Sequence, residues 1–311
     1  MFIAKNVCLC KPAVHVVRSG LNGDKNILLL VSVSIYNFGA MQGLPTIGIF
    51  MHKGVLKGRV ALVTGATGGI GRFCATILGK YGADLALHTS KNEDSCLILA
   101  NELKSLEVRT SIWAADFSKS GEAGRILKAI AKEFGPPTIV IHAAGALIEK
   151  PLAFTARTEW NDLLTLHTTT AYEVAQAAVR GMRSVKTEAE FNETQGGGRI
   201  VFIGSLAGQI GLGNSAAYAA TKGALHGLAK TLALEFARWS TTVNVVAPGY
   251  VNTPMTDAHS SERRGHLTQT IPLGRYGNAN EVAALVAWLC LPEASYVTGQ
   301  IINVDGGLSL R

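Results

Sequence analysis

The sequence predicts an α/β domain whose parallel sheet is wound with helices on both faces. Three observations predict it: seven short apolar runs of strand length recur between residues 57 and 311, amphipathic stretches at helical spacing separate the first of them, and a glycine-rich turn follows the first run. In such a sheet a ligand lies at the carboxyl ends of the strands. With 311 residues, 48% of them apolar, and 34 glycines, the chain is neither a disordered tail nor a collagen-like fibre.

The elements read in order. Residues 59–63 (Arg59-Val60-Ala61-Leu62-Val63) form the first strand, and the spacing predicts a helix over 70–81. A second strand at 84–88, a helix at 93–106, a third strand at 109–114 and a helix at 120–134 follow. Strands four to seven fall at 138–142, 199–203, 242–246 and 301–304, with a helix running from Tyr218 towards Arg238 between the fifth and the sixth. The polar stretch between Pro254 and Pro272 carries no such pattern and reads as irregular, while 186–198 reads as a long surface loop.

Two local patterns carry chemistry. The turn Thr64-Gly65-Ala66-Thr67-Gly68-Gly69-Ile70-Gly71 places glycines at 65, 69 and 71, a G-x-x-x-G-x-G spacing distinct from both the G-x-G-x-x-G fingerprint and the phosphate loop ending in G-K-[ST]. Such a turn brings backbone amides and a helix N-terminus to a pyrophosphate, although tight strand–helix packing alone would also favour it. Tyr218 and Lys222 stand four apart on one helix face, and a neighbouring ammonium is expected to lower the tyrosine pKa into a useful range for acid–base chemistry. Ser205, thirteen residues earlier and just past the fifth strand, is placed to polarise a substrate carbonyl. A solvated Tyr–Lys helix pair is common by itself; the three residues behind a glycine turn are not.

On these residues the sequence resembles the short-chain dehydrogenase/reductase family, and within it 3-oxoacyl-[acyl-carrier-protein] reductases. The resemblance covers roughly 56–311 and rests on TGATGGIG (64–71), Asp116, AAG (143–145), Ser205, YAATK (218–222), PGYVNT (248–253) and TGQIINVDGG (298–307). It implies a single Rossmann-type domain with a seven-stranded parallel sheet, assembled as a homotetramer and acting in fatty acid biosynthesis. It also implies that Gly65, Thr67, Gly69, Ile70 and Gly71 form the pyrophosphate turn, that Asp116 meets the adenine, and that Ala143, Ala144 and Gly145 line the adenosine ribose. Ser205 would hold the carbonyl and Tyr218 deliver the proton. Lys222 would bind the nicotinamide ribose, and Pro248, Gly249, Val251 and Thr253 would border the nicotinamide.

Two histidines depart from that pattern. His167 stands where the family has an asparagine in a proton relay: either the imidazole keeps the relay with altered geometry, or it is a packed side chain and the relay is lost. His142 stands at the end of the fourth strand where the family commonly has asparagine. After the second strand, 88–92 contains no acid to repel a 2′-phosphate, and Ser90 and Lys91 can meet one, which favours NADPH. Arg72 lies nearby in sequence, its direction open.

The expected function is NADPH-dependent reduction of a ketone, foremost a 3-oxoacyl thioester. The rivals are an NAD-dependent alcohol, steroid or sugar dehydrogenase and a catalytically weak scaffolding subunit. The resemblance implies that the 254–272 stretch forms a mobile lid over substrate, whose His259, Arg263, Arg264 and His266 either meet an acidic acyl carrier protein or phosphopantetheine or are simply solvated.

Residues 1–52 carry four basic side chains and one acid, +3 of the overall +7, and residues 53–311 form the catalytic domain. The leader fits a targeting peptide, an extension ahead of a start at Met41 or Met51, or a mildly apolar anchor. The expected location is cytoplasmic, or mitochondrial or plastid if the leader targets. Interspersed charges argue against nucleic acid. Five scattered cysteines indicate a reducing compartment, and no metal site is expected, since Cys8 and Cys10 lack a second ligand pair.

Overall fold

A computed structural model describes residues 54–119, 121–184 and 197–310, together with the backbone of Val14–Val16 and Val31–Val33. The chain divides into two units, Met1–Met51 and His52–Arg311. In the first, the two short segments pair antiparallel. The readings of residues 1–52 and of the loop at 185–196 otherwise lie outside the described residues.

The second unit holds one seven-stranded parallel sheet. Its strands are β1 (Val60–Thr64), β2 (Asp84–Thr89), β3 (Thr110–Ala114), β4 (Ile139–His142), β5 (Arg199–Ile203), β6 (Thr242–Pro248) and β7 (Ile301–Val304), in spatial order β7-β6-β5-β4-β1-β2-β3. From β1 the chain winds outward through β2 and β3, then returns to build β4 on the other side. The crevice therefore opens at the carboxyl ends of β1 and β4.

The helices are α1 (Gly69–Lys80), α2 (Glu93–Leu103), α3 (Glu122–Glu133), α4 (Arg157–Leu164), α5 (Thr170–Ser184), α6 (Ala216–Phe236), α7 (Ser261–Thr270) and α8 (Ala279–Trp288). Strand side chains alternate between two cores. Ala61, Val63, Leu85 and Ile141 pack on the face shared with Leu78 of α1 and Val282 of α8, whereas Leu62, Val140, Ile200 and Phe202 pack with Ile126 of α3, Val174 of α5 and Leu225 of α6. Strands buried on both faces read as unbroken apolar runs, which is why periodicity located them within a residue or two.

One expectation is overturned. The stretch between Pro254 and Pro272 contains the ten-residue helix α7. Ser260 caps it, its hydroxyl accepting from the Arg263 amide at 3.2 Å, but no residue of α7 is buried, so it carries no apolar stripe for periodicity to find.

Candidate active site

The carboxyl ends of the central strands open onto a cleft of about 500 Å³. One wall is the glycine turn and the end of β4, contributing Thr67, Gly69, Ile70, Ala143 and Gly145. The facing wall brings Ser205, Tyr218 and Lys222, and Pro248, Gly249, Val251 and Thr253 close the side after β6. Gly65, Gly71 and Ala144 do not line the cleft; they make the turn possible. Gly65 adopts φ 64°, and a Cβ there would stand 2.8 Å from the Ala144 Cα, while one at Gly71 would overlap the Gly65 carbonyl oxygen. The first turn of α1 has no side-chain cap and no acid. Its amides are the donor set a pyrophosphate requires.

Three neutral histidines brace this wall. His88, at the end of β2, donates from Nε2 to the Ala115 carbonyl at 2.9 Å, stacks on Phe117, and faces the Gly65 amide with Nδ1. His142 lies under the β4 end. Thr64 Oγ1 accepts the Ala143 and Ala144 amides, both at 3.1 Å, so its own proton goes to His142 Nδ1 at 3.0 Å. Nε2 of His142 then carries a proton and is buried.

His167 sits in a single π-helical turn, Thr165–Thr169, between α4 and α5. Its Nε2 accepts the Ala146 amide at 3.0 Å, which forces the proton onto Nδ1, directed at Thr221 Oγ1 at 2.8 Å. Thr221 in turn donates to the Tyr218 carbonyl. Burial, with the nearby Lys222 charge, lowers His167 to about 2, and the same two causes lower His142 to about 3. Both nitrogens of His167 are thus engaged, and it ties the 143–146 segment to α6 from behind the cleft. Of the two readings left open for it, this geometry favours the packed side chain.

The reactive trio is more tightly held than the sequence implied. Gly204 and Leu206 donate to the Val246 and Pro248 carbonyls, fastening the Ser205 turn to β6. The Ala207 amide donates to Ser205 Oγ at 3.1 Å, which leaves the hydroxyl proton for another acceptor. Tyr218 shares a hydrogen bond with Ser205. Lys222, 5% exposed, donates to the Ile203 carbonyl at 2.8 Å, and its Nζ lies 5.7 Å from the Tyr218 ring centroid.

The expected depression of the tyrosine pKa by Lys222 is not what this geometry gives. Burial holds Tyr218 above its ordinary value, and the Ser205 hydrogen bond is the influence pulling it down. Lys222 itself is lowered to about 8 by burial, with its ammonium turned to a carbonyl rather than to the phenol.

Other predicted residues lie apart. Ser90 and Lys91 are exposed just beyond β2, outside the cleft lining, next to Asn92, which does line it. Asp116 accepts from the Ser118 amide and hydroxyl, which lower its pKa, at the edge beyond β3. Arg72 points away, paired with Glu102 of α2 at 2.6 Å. Arg263 of α7 grips Glu149 with two hydrogen bonds, one of 2.8 Å. Arg264 reaches Asn252 and stacks over Tyr276, so both arginines of α7 make contacts within the chain.

Sequence reasoning missed Asn92, Ala146, Pro254, Met255 and Thr256 in the cleft. Asn92 carried a usable signal, an N-cap ahead of the second helix: its side chain accepts from the Ser95 amide. Also missed was an adjoining pocket of about 180 Å³ that shares Ser205, Pro248 and Gly249. Among the described residues no group of three or more His, Cys, Asp or Glu is placed to hold a metal, and no helix is long and apolar enough to cross a membrane.

Residues 65–309 match the family model described as Enoyl-(Acyl carrier protein) reductase. The 3-oxoacyl-[acyl-carrier-protein] reductase of Vibrio cholerae is 34% identical over 253 residues, 81% of this chain and 98% of that protein. The crystal structure of acetoin dehydrogenase from Enterobacter cloacae superposes with a TM-score of 0.72 at 34% identity, covering 81% of this chain and 96% of that one. The short-chain dehydrogenase/reductase from Serratia marcescens gives a TM-score of 0.74 at 30% identity, covering 82% and 99%.

Proposed function

The chain belongs to the short-chain dehydrogenase/reductase family, and on that premise we propose that it reduces a ketone to a secondary alcohol with NADPH, a 3-oxoacyl thioester being the leading substrate class. The observation that carries this reading is the convergence of Ser205, Tyr218 and Lys222 on one wall of a cleft whose opposite wall is a glycine turn at a helix N-terminus.

In this reading a bound reduced nicotinamide supplies the hydride. Ser205, its oxygen already held by the Ala207 amide, donates a hydrogen bond to the substrate carbonyl and fixes that oxygen beside the phenol. Tyr218 then gives its proton to the same oxygen as negative charge develops there. A phenol held above its ordinary pKa stays protonated at neutral pH, the state a reductase needs. Lys222 spends one N–H on Ile203 and has two left for ribose hydroxyls. Exposed Lys91 and Ser90, with no acid at 88–92, support NADPH over NADH. A homo-oligomer, as the family resemblance implies, is part of the same proposal.

The 34% identity to an acetoin dehydrogenase and the small volume beside Ser205 favour one rival, oxidation of a small hydroxyketone with NAD. An NADPH-consumption screen over ketones, quinones and acyl thioesters separates the two. With NAD reduction by acetoin measured alongside, the expected result is oxidation of NADPH with an acetoacetyl thioester, lowered about 10²–10⁴-fold in Tyr218→Phe. Turnover confined to NAD and acetoin would discard the thioester assignment.

A further inference from the structure

We propose that Leu308, carried on the C-terminal tail, is the end wall of the substrate pocket and limits the carbon arm of the ketone to about six atoms. The inference rests on the ketone-reductase reading and names the substrate class within it: short, uncharged 3-oxoacyl groups.

The 180 Å³ pocket is lined by Ser205, where the carbonyl is to be held, by Leu206, Ile210, Leu212, Tyr250 and Thr270, and by Leu308. No lining residue is charged. An apolar cavity of about 150 Å³ admits benzene, so this volume takes a carbon arm of similar size.

The wall is fastened from both sides. Asp305 accepts the amides of Gly307 and Ser309, each at 2.9 Å. Asn303 joins Ser309 Oγ at 3.0 Å to Gln209, which belongs to the same turn as Ile210. Towards the lid, Leu273 donates to the Gly306 carbonyl at 3.1 Å, and Gly306, at φ 64°, packs so closely that a Cβ would stand 2.8 Å from Ile271 Cγ2. Leu308 is thereby tied to the turn after Ser205 and to the end of α7 together.

The test measures kcat/KM of the full-length chain with NADPH and 3-oxoacyl thioesters of four to twelve carbons, for the native sequence and for Leu308→Ala and Leu308→Trp. Native efficiency is expected to rise about fourfold per methylene while the arm still fits, and to drop at least tenfold between eight and twelve carbons. Leu308→Ala shifts the maximum towards ten to twelve carbons and Leu308→Trp towards four to six, with circular dichroism and NADPH-binding fluorescence reporting the fold. A native profile still climbing at twelve carbons overturns the inference. So does a length profile unmoved in both folded variants, and either result leaves ketone reduction standing. Failure to consume any ketone or thioester overturns the reductase reading itself.

Discussion

The two walls of the cleft are built by different physics. The wall formed by the glycine turn and the end of β4 is backbone laid against backbone, with Gly65 against Ala144 and buried neutral histidines beneath. The region beyond the opposite wall is held by side chains reaching over distance: Arg263 to Glu149 and Arg264 to Tyr276, with Leu308, from the far end of the chain, in the adjoining pocket. The first has no slack, because an added carbon meets main chain. The second is held by exposed ion pairs and apolar contacts that a solvent-facing helix can exchange.

The sharpest way to break this contrast is one methyl on the glycine wall. Gly71→Ala is expected to cost about 1–3 kcal/mol in urea unfolding and to weaken NADPH binding, because the Cβ falls on the Gly65 carbonyl. A variant as stable as the native chain would show that the turn has room after all.

Acid should strike the histidine-braced wall next. His88, His142 and His167 are held at about 4, 3 and 2, below their ordinary 6.5, chiefly by burial. The unfolded chain therefore binds more protons below pH 6.5, so stability is greatest above that value. It falls as the pH drops towards each folded value, by about 1.4 kcal/mol per pH unit for each histidine. Melting temperature is expected to decline steeply from pH 7 to 5; a flat profile would mean that these rings are protonated without cost.

Lys222 sharpens the comparison from the reactive side. Lowered to about 8 against an ordinary 10.5, it loses its charge as pH rises through 8, and kcat/KM for reduction should fall above that point. The unfolded chain holds this proton up to about 10.5, so the contribution of Lys222 to stability rises over the same interval, opposite to activity. A reduction rate level to pH 9.5 would remove the ammonium from the reaction.

Arg263→Ala carries the smallest expected effect on folding. Its partner Glu149 is held below the usual carboxylate range by Arg263, so the pair contributes above the ordinary glutamate value and is lost as pH falls through the lowered one. With the arginine side chain 41% exposed the loss is under about 1 kcal/mol, while KM for substrate rises severalfold and NADPH affinity stays put. A change in NADPH affinity instead would tie the lid to the cofactor wall.

Much of the cleft was legible before any coordinates. Glycine spacing, the Tyr218–Lys222 interval and Ser205 after a strand are local patterns, and local sterics impose them wherever they occur. The direction of the Tyr218 pKa was not legible, since spacing reports that Lys222 is near but not that its ammonium faces the Ile203 carbonyl. The role of His167 was equally hidden: its bonds run to Ala146 and to Thr221, 21 and 54 residues away.

By itself the sequence determined the strand order along the chain, the crevice at the strands' carboxyl ends and the identity of the polar trio, because hydrophobic period and turn sterics act over a few residues. Only the tertiary structure decided what the trio's surroundings do to its protons, where the arginines of α7 point and which residues share the adjoining pocket. Burial and long-range contacts set those, and residues as distant as Leu206 and Leu308 become neighbours only when the sheet has closed.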